Sequence, residues 1–215
     1  MTFVELIKNC RNCTRCRLRK TATQVVPGNG DIHAKIMFIG EGPGANEDRE
    51  GIPFCGAAGQ FLNKLLGSID IDRSDVYITN MVKCRPPGNR DPFDDEMVAC
   101  KSWLDEQIVY IQPKIFVLLG RFAMGKFFPT LKISQAHGKA FKKDRRIYII
   151  MYHPAVALYD ASFEKVMLSD MQIFKEILKG DETNVHNLGG PVSIREPQSS
   201  LKKKRRGKEQ IGMGL

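Results

Sequence analysis

No stretch of this 215-residue chain approaches the roughly 18 to 20 consecutive apolar residues that a membrane span requires. A membrane partner is therefore not expected. The opening MTFVELIKNC lacks both a basic flank and a long apolar centre, so a secretion signal is not expected either and a cytoplasmic protein is. Cysteine is sparse. Six residues, Cys10, Cys13, Cys16, Cys55, Cys84 and Cys100, are too few for a disulfide-built scaffold of this length, which leaves ligation of a metal or cluster as their better use. Internal repeats are also missing. Acidic residues are outnumbered, 24 against 33 basic, for a net charge of +9. The excess is uneven, because Lys202, Lys203, Lys204, Arg205, Arg206 and Lys208 face only Glu209 near the end. Such a run suits a solvated tail, and also weak, salt-sensitive attraction to nucleic acid.

What the sequence does contain is alternation. KIMFIG (35–40), DVYITN (75–80), IFVLLG (115–120) and IYIIMYH (147–153) are short apolar, β-branched runs that end in turn chemistry and read as strands buried on both faces. Helical spacing separates them: Phe61, Leu62, Leu65 and Leu66, then Met97, Cys100, Leu104, Ile108 and Ile111 behind the acids Asp94, Asp95 and Glu96, and last Phe163 to Leu178. The pattern predicts a parallel sheet covered on both faces, with functional groups outside the carboxyl ends of its strands. One domain over 1–180 is expected, with 181–215 as a flexible basic tail rich in Gly, Pro, Ser and Lys.

Gly40, Gly42 and Ala45 satisfy G-x-G-x-x-[GA] after a strand, the dinucleotide fingerprint. Two residues argue against it. Pro43 removes an N–H from the loop that should cradle a pyrophosphate, and the second strand ends in Asn80, not an acid. A bare loop also lets main-chain N–H groups press against a planar ligand, and Phe54, inside the turn-rich GIPFCG, does not look like a core residue.

GEGPG, Glu47-Asp48, G-x-PF-x-G, AGQ-x-LN, VYITNMVKCRPPGNRDP and HPA stand in the order and spacing of the type-4 uracil-DNA glycosylases. The chain resembles that iron–sulfur branch from about Cys13 to Lys179. The resemblance implies an α/β fold, three-layer αβα around a central four-stranded parallel sheet, and an enzyme that hydrolyses uracil from DNA to leave an abasic site. A non-enzymatic iron–sulfur DNA-binding or damage-sensing protein is the competing class. The implied uracil pocket comprises Gly40, Glu41, Gly42, Glu47, Phe54, Asn80 and His153. The Asn80 amide can accept from N3–H and donate to O4, whereas cytosine reverses both roles. Phe54 would stack on the extruded ring, Glu47 would lie at its C5 edge, and His153 would donate to O2 as negative charge develops there. Better-known relatives carry an acid where Gly42 stands, which leaves water activation to Glu41 and to main-chain groups of the loop at Gly42.

The resemblance further implies a [4Fe-4S] cluster on Cys13, Cys16, Cys84 and Cys100, with zinc on the same thiolates as the plainer alternative. Cys10 completes C-x2-C-x2-C, and Cys55 reads as a small buried apolar residue. DNA contacts are expected from Lys83, Arg85, Asn89 and Arg90, from His137, and from a second basic stretch of Lys139, Lys142, Lys143, Arg145 and Arg146. His137 stands where many relatives have an arginine, and Tyr159-Asp160 departs from the family pattern after HPA. The expected protein is a monomer associated with the nucleoid. The ending QIGMGL matches a sliding-clamp peptide only in part, because it lacks the aromatic pair.

Overall fold

A computed structural model describes residues 1–187. In chain order the elements are α1 (Phe3–Arg11), β1 (Asn29–Gly30), β2 (Ile36–Gly40), α2 (Ala45–Glu50), α3 (Ala57–Gly67), β3 (Tyr77–Asn80), α4 (Asp94–Ile111), β4 (Ile115–Leu119), α5 (Arg121–Phe127), α6 (Ile133–Ala136), β5 (Ala140–Lys143), β6 (Arg146–Met151), α7 (Val156–Tyr159), α8 (Ser162–Leu178) and β7 (Val185–Asn187). The sheet runs β1-β3-β2-β4-β6-β5-β7. Its centre, β3-β2-β4-β6, is parallel throughout, which is the four-stranded core expected from the sequence.

Each central strand alternates its side chains between two cores, as a period of two requires. Met37, Ile39, Phe116, Leu118, Tyr148 and Ile150 face Leu104, Ile108 and Ile111 of α4 and Met124 of α5. Phe38, Ile78, Val117, Leu119, Ile149 and Met151 face Leu62, Leu65 and Leu66 of α3 and Met167, Met171 and Phe174 of α8. Three layers result. A smaller third core holds Leu6, Cys10, Leu18 and Val25 of the N-terminal segment against Val82, Cys84, Cys100 and Trp103.

Three strands were not foreseen. β1 is two residues long, β5 reads AFKK with two lysines, and its hairpin turn is Asp144-Arg145 at φ 50° and 61°, without the usual glycine. β7 lies inside the expected tail, so the folded unit extends past residue 180; it pairs parallel with β5, which is antiparallel to β6. Asn187 therefore ends at the edge of the sheet opposite the carboxyl ends of β2, β3, β4 and β6. α1 was also missed, although Thr2 and Glu5 form a reciprocal capping box at 3.2 and 2.7 Å. The basic run at 202–208 and QIGMGL (210–215) lie outside the described residues. Among those described, no helix is long and apolar enough to cross a membrane.

Candidate active site

The connection from β2 to β3 runs to one side and that from β3 to β4 crosses back over β2, so a crevice opens above the carboxyl ends of the central strands. A cleft of about 260 Å³ occupies the end of the molecule that these strand ends face. Glu41 and Gly42 from the loop after β2, Glu47 in α2, Phe54 before α3, Asn80 at the end of β3 and His153 after β6 all line it. These are the expected pocket residues other than Gly40, which lies beneath.

Gly40 explains how three of them meet. A Cβ there would lie 2.4 Å from Asn80 Oδ1 and 2.6 Å from Phe54 Cζ, so the missing side chain is the space in which the amide and the ring edge converge. Gly59, on the first turns of α3, does the same for the main chain: a Cβ would lie 1.8 Å from the Phe54 carbonyl oxygen. Phe54 itself holds φ 50°, a left-handed conformation that a non-glycine residue adopts only when its surroundings enforce it. The enforcement comes from Arg73, whose guanidinium donates to Pro53 O at 2.6 Å and to Asn63 Oδ1 at 2.9 Å. Glu47 adds a second tie. Its two carboxylate oxygens accept from Gly44 N–H at 3.1 Å and Gly56 N–H at 2.8 Å, strapping the glycine loop to the Phe54 loop. Arg73 was not foreseen, since IDRSD carries no motif; its signal is visible only in three dimensions.

The polar groups are unequal. Asn80 is 1% exposed, yet its Oδ1 has no hydrogen-bond partner. A buried amide oxygen left empty costs about 1–3 kcal/mol and marks a position that a ligand donor can fill. His153 packs beside the Phe54 ring with centroids 5.4 Å apart. Its Nδ1 accepts from Ala155 N–H at 3.2 Å, which puts the ring proton on Nε2. Burial holds its pKa down to about 4, so the imidazole is a neutral N–H donor across the physiological range. Glu41 behaves oppositely: burial, aided by the charge of Asp91 and opposed by Arg121, raises its carboxyl to about 7.

Around the cleft, Asn89 and Arg90 line the rim, with Asn89 accepting from Arg85 Nε at 2.7 Å. Arg90 is held bidentate by the buried Glu96 at 2.7 and 2.9 Å and lies over the Phe93 ring. Three of the expected sources of DNA contact are placed elsewhere. Lys83 is 1% exposed and its ammonium points inward, so a phosphate cannot reach it. Lys143, Arg145 and Arg146 surround the β5–β6 turn, at the end of the sheet away from the cleft. His137 does not line the cleft; its Nδ1 pairs with Asp170 at 3.0 Å and its ring lies 4.4 Å from that of Tyr152. Tyr159, 92% exposed, stands at the cleft mouth instead.

Behind β3, Cys13, Cys16, Cys84 and Cys100 line one small cavity. Two N–H donors already address the sulfurs: Trp103 Nε1 to Cys13 Sγ and Lys83 N to Cys100 Sγ, each at 3.2 Å. Four thiols with such donors make a soft ligand set of the kind an iron–sulfur cluster takes. Among the described residues, no three metal-binding side chains converge at the spacing of a single ion. Burial raises the thiols of Cys84 and Cys100 to about 12 and about 11, so ligation there must release protons. Cys10 is buried beside this group without lining the cavity.

A sequence profile described as the uracil DNA glycosylase superfamily matches residues 27–175. The chain is similar to the type-4 uracil-DNA glycosylase of Sulfurisphaera tokodaii, at 43% identity over 77% of this chain and 80% of that one. It is also 43% identical to the type-4 uracil-DNA glycosylase of Saccharolobus solfataricus, over 82% of this chain and 87% of the relative. The type-4 uracil-DNA glycosylase of Archaeoglobus fulgidus shares 41% over 80% and 92%.

Proposed function

The chain belongs to the uracil-DNA glycosylase superfamily, in its type-4 branch, and from that premise we infer how it removes uracil from DNA. It is a monofunctional glycosylase of base excision repair: it hydrolyses the N-glycosidic bond and leaves an abasic site. The residue roles are our own reading, and the empty, buried Oδ1 of Asn80 carries them.

Uracil must leave the stack before it can be read, at a cost of a few kcal/mol. The pocket offsets that cost in two ways. Phe54 supplies a ring face to stack on, and Asn80 Oδ1 gains the N3–H donor it lacks, while the amide nitrogen meets O4. Cytosine presents a lone pair to that oxygen and is rejected. Glu47, fixed by its two main-chain bonds, is the wall at the C5 edge, where a thymine methyl would strip solvent from a carboxylate.

Bond breaking puts negative charge on uracil, chiefly at O2. The neutral Nε2–H of His153 is pre-set to donate there, and its low pKa keeps the ring from taking up a second proton, so Nδ1 stays the acceptor of Ala155 N–H and Nε2 the donor. Glu41, with a carboxyl near 7, is suited to take a proton from the attacking water. Cys13, Cys16, Cys84 and Cys100 would hold a [4Fe-4S] cluster, whose contribution is to brace the segment after β3 against α4 and the N-terminal segment. Arg85, Asn89 and Arg90 are the residues we assign to the DNA backbone beside the cleft.

The test is incubation of the full chain with an oligonucleotide containing one uracil, followed by hot alkali. Strand scission at the uracil position is expected. An intact strand with retained DNA binding would identify a sensor instead of an enzyme.

A further inference from the structure

Directly beneath Asn80 lies a buried lysine that the functional reading leaves unused. Lys83 Nζ donates to Asn80 O at 2.8 Å, to Thr79 Oγ1 at 2.5 Å and to Gln107 Oε1 at 2.8 Å. An ammonium has three donors and no acceptor; all three are used inside the protein. The main chain of Lys83 is equally committed. Its N–H donates to Cys100 Sγ at 3.2 Å and its carbonyl accepts from Val26 N–H at 2.7 Å.

We propose that Lys83 is a positioning residue for uracil recognition, its ammonium fixing the Asn80 carbonyl and thereby the direction in which the unpartnered Asn80 amide oxygen points. Burying a lysine is costly unless every donor is matched, and a simple structural filler would be apolar here. The neighbours do not need the charge for their own sake. Thr79 Oγ1 also bonds Pro27 O at 2.7 Å, and Gln107 Nε2 bonds Pro27 O and Tyr77 OH at 2.9 and 3.2 Å. What the ammonium adds is a clamp on the last residue of β3. Above the clamp, Met81 N–H and Val82 N–H bond Gly40 O and Glu41 O at 2.9 and 3.0 Å, so the Asn80–Met81 peptide is gripped on its carbonyl by the lysine and on its N–H by the glycine loop, which also holds the next peptide. The inference rests on the functional reading above.

The experiment compares the parent chain with Lys83→Met, in the full protein, by three measurements. These are single-turnover excision of uracil, affinity for a duplex that already carries an abasic site, and thermal melting. Excision should fall by about 10²-fold, because a displaced reader costs that much. Abasic-site affinity should stay near the parent's, since the abasic duplex offers no base to Asn80, while melting falls because Asn80 O and Gln107 Oε1 lose their donor. Excision close to the parent's, or excision and abasic-site affinity falling together, overturns the assignment. If Lys83→Met does not fold, Gln107→Met removes one anchor of the same ammonium and should slow excision by about tenfold with abasic-site affinity retained; no slowing overturns it equally. A parent chain that fails to excise uracil would instead remove the functional reading, and this inference with it.

Discussion

Glu41 and His153 share one cleft but are shifted in opposite directions, and pH separates them. If Glu41 accepts the proton of water, single-turnover excision should rise with pH through about 7 and then level off. Glu41→Gln should abolish most turnover and the rise together while still binding uracil-containing DNA; a rise that survives the substitution removes Glu41 from the step. The same shift acts on folding. A carboxyl raised from 4.5 to about 7 holds its proton more tightly in the folded state, so its contribution is full below 4.5 and is lost as pH climbs to about 7. His153 works the other way: lowered from 6.5 to about 4, it contributes above 6.5 and loses that contribution as pH falls to about 4. At this scale the sequence was legible wherever a residue lines the cleft. Phe54, Asn80 and His153 could be read from HPA, TN and PF. Lys83 could not, because its position in KCRPP gives no sign of which way the side chain turns, and burial reverses the meaning of a lysine.

At the scale of elements, the cleft is made of loops that helices and strands hold by single contacts. Arg73 is the clearest case. It lies in the turn between α3 and β3 and secures the loop that carries Phe54. Arg73→Ala should lose about 1–2 kcal/mol of stability, visible as roughly 2–8 °C in melting temperature. It should slow excision about tenfold by freeing Phe54 from its left-handed backbone. A shifted melting temperature with unchanged excision would show that Glu47 and Gly59 alone hold the loop. The four central strands and the long helices α3, α4 and α8 could be read because each buries a periodic face. β5 and β7 could not be. Edge strands need little apolar content, their pairing depends on a neighbour, and the Asp144-Arg145 turn lacks the residues that usually announce a hairpin.

At the scale of the molecule, the described residues form one sheet with two large cores and a third that contains Cys10, Cys84 and Cys100. That third core joins α1 and the segment through Val25 to α4, so removal of the cluster proposed for the four cysteines should be felt unevenly. After chelation of iron from the reduced protein, hydrogen exchange should accelerate across residues 3–26 while amides in β2, β4 and β6 keep their protection. Uniform acceleration, or none, would show that the cysteine site does not brace this segment. Net charge could be read at this scale but its placement could not: the β5–β6 lysines and arginines looked like part of a DNA face until the strand directions set them at the other end. The same directions govern the exit of the chain. Since β7 runs against the central strands, the described chain reaches Asn187 on the side of the sheet away from the cleft. A dye or affinity tag placed at position 187 itself would stand at the rear of the enzyme, clear of a duplex seated at the mouth.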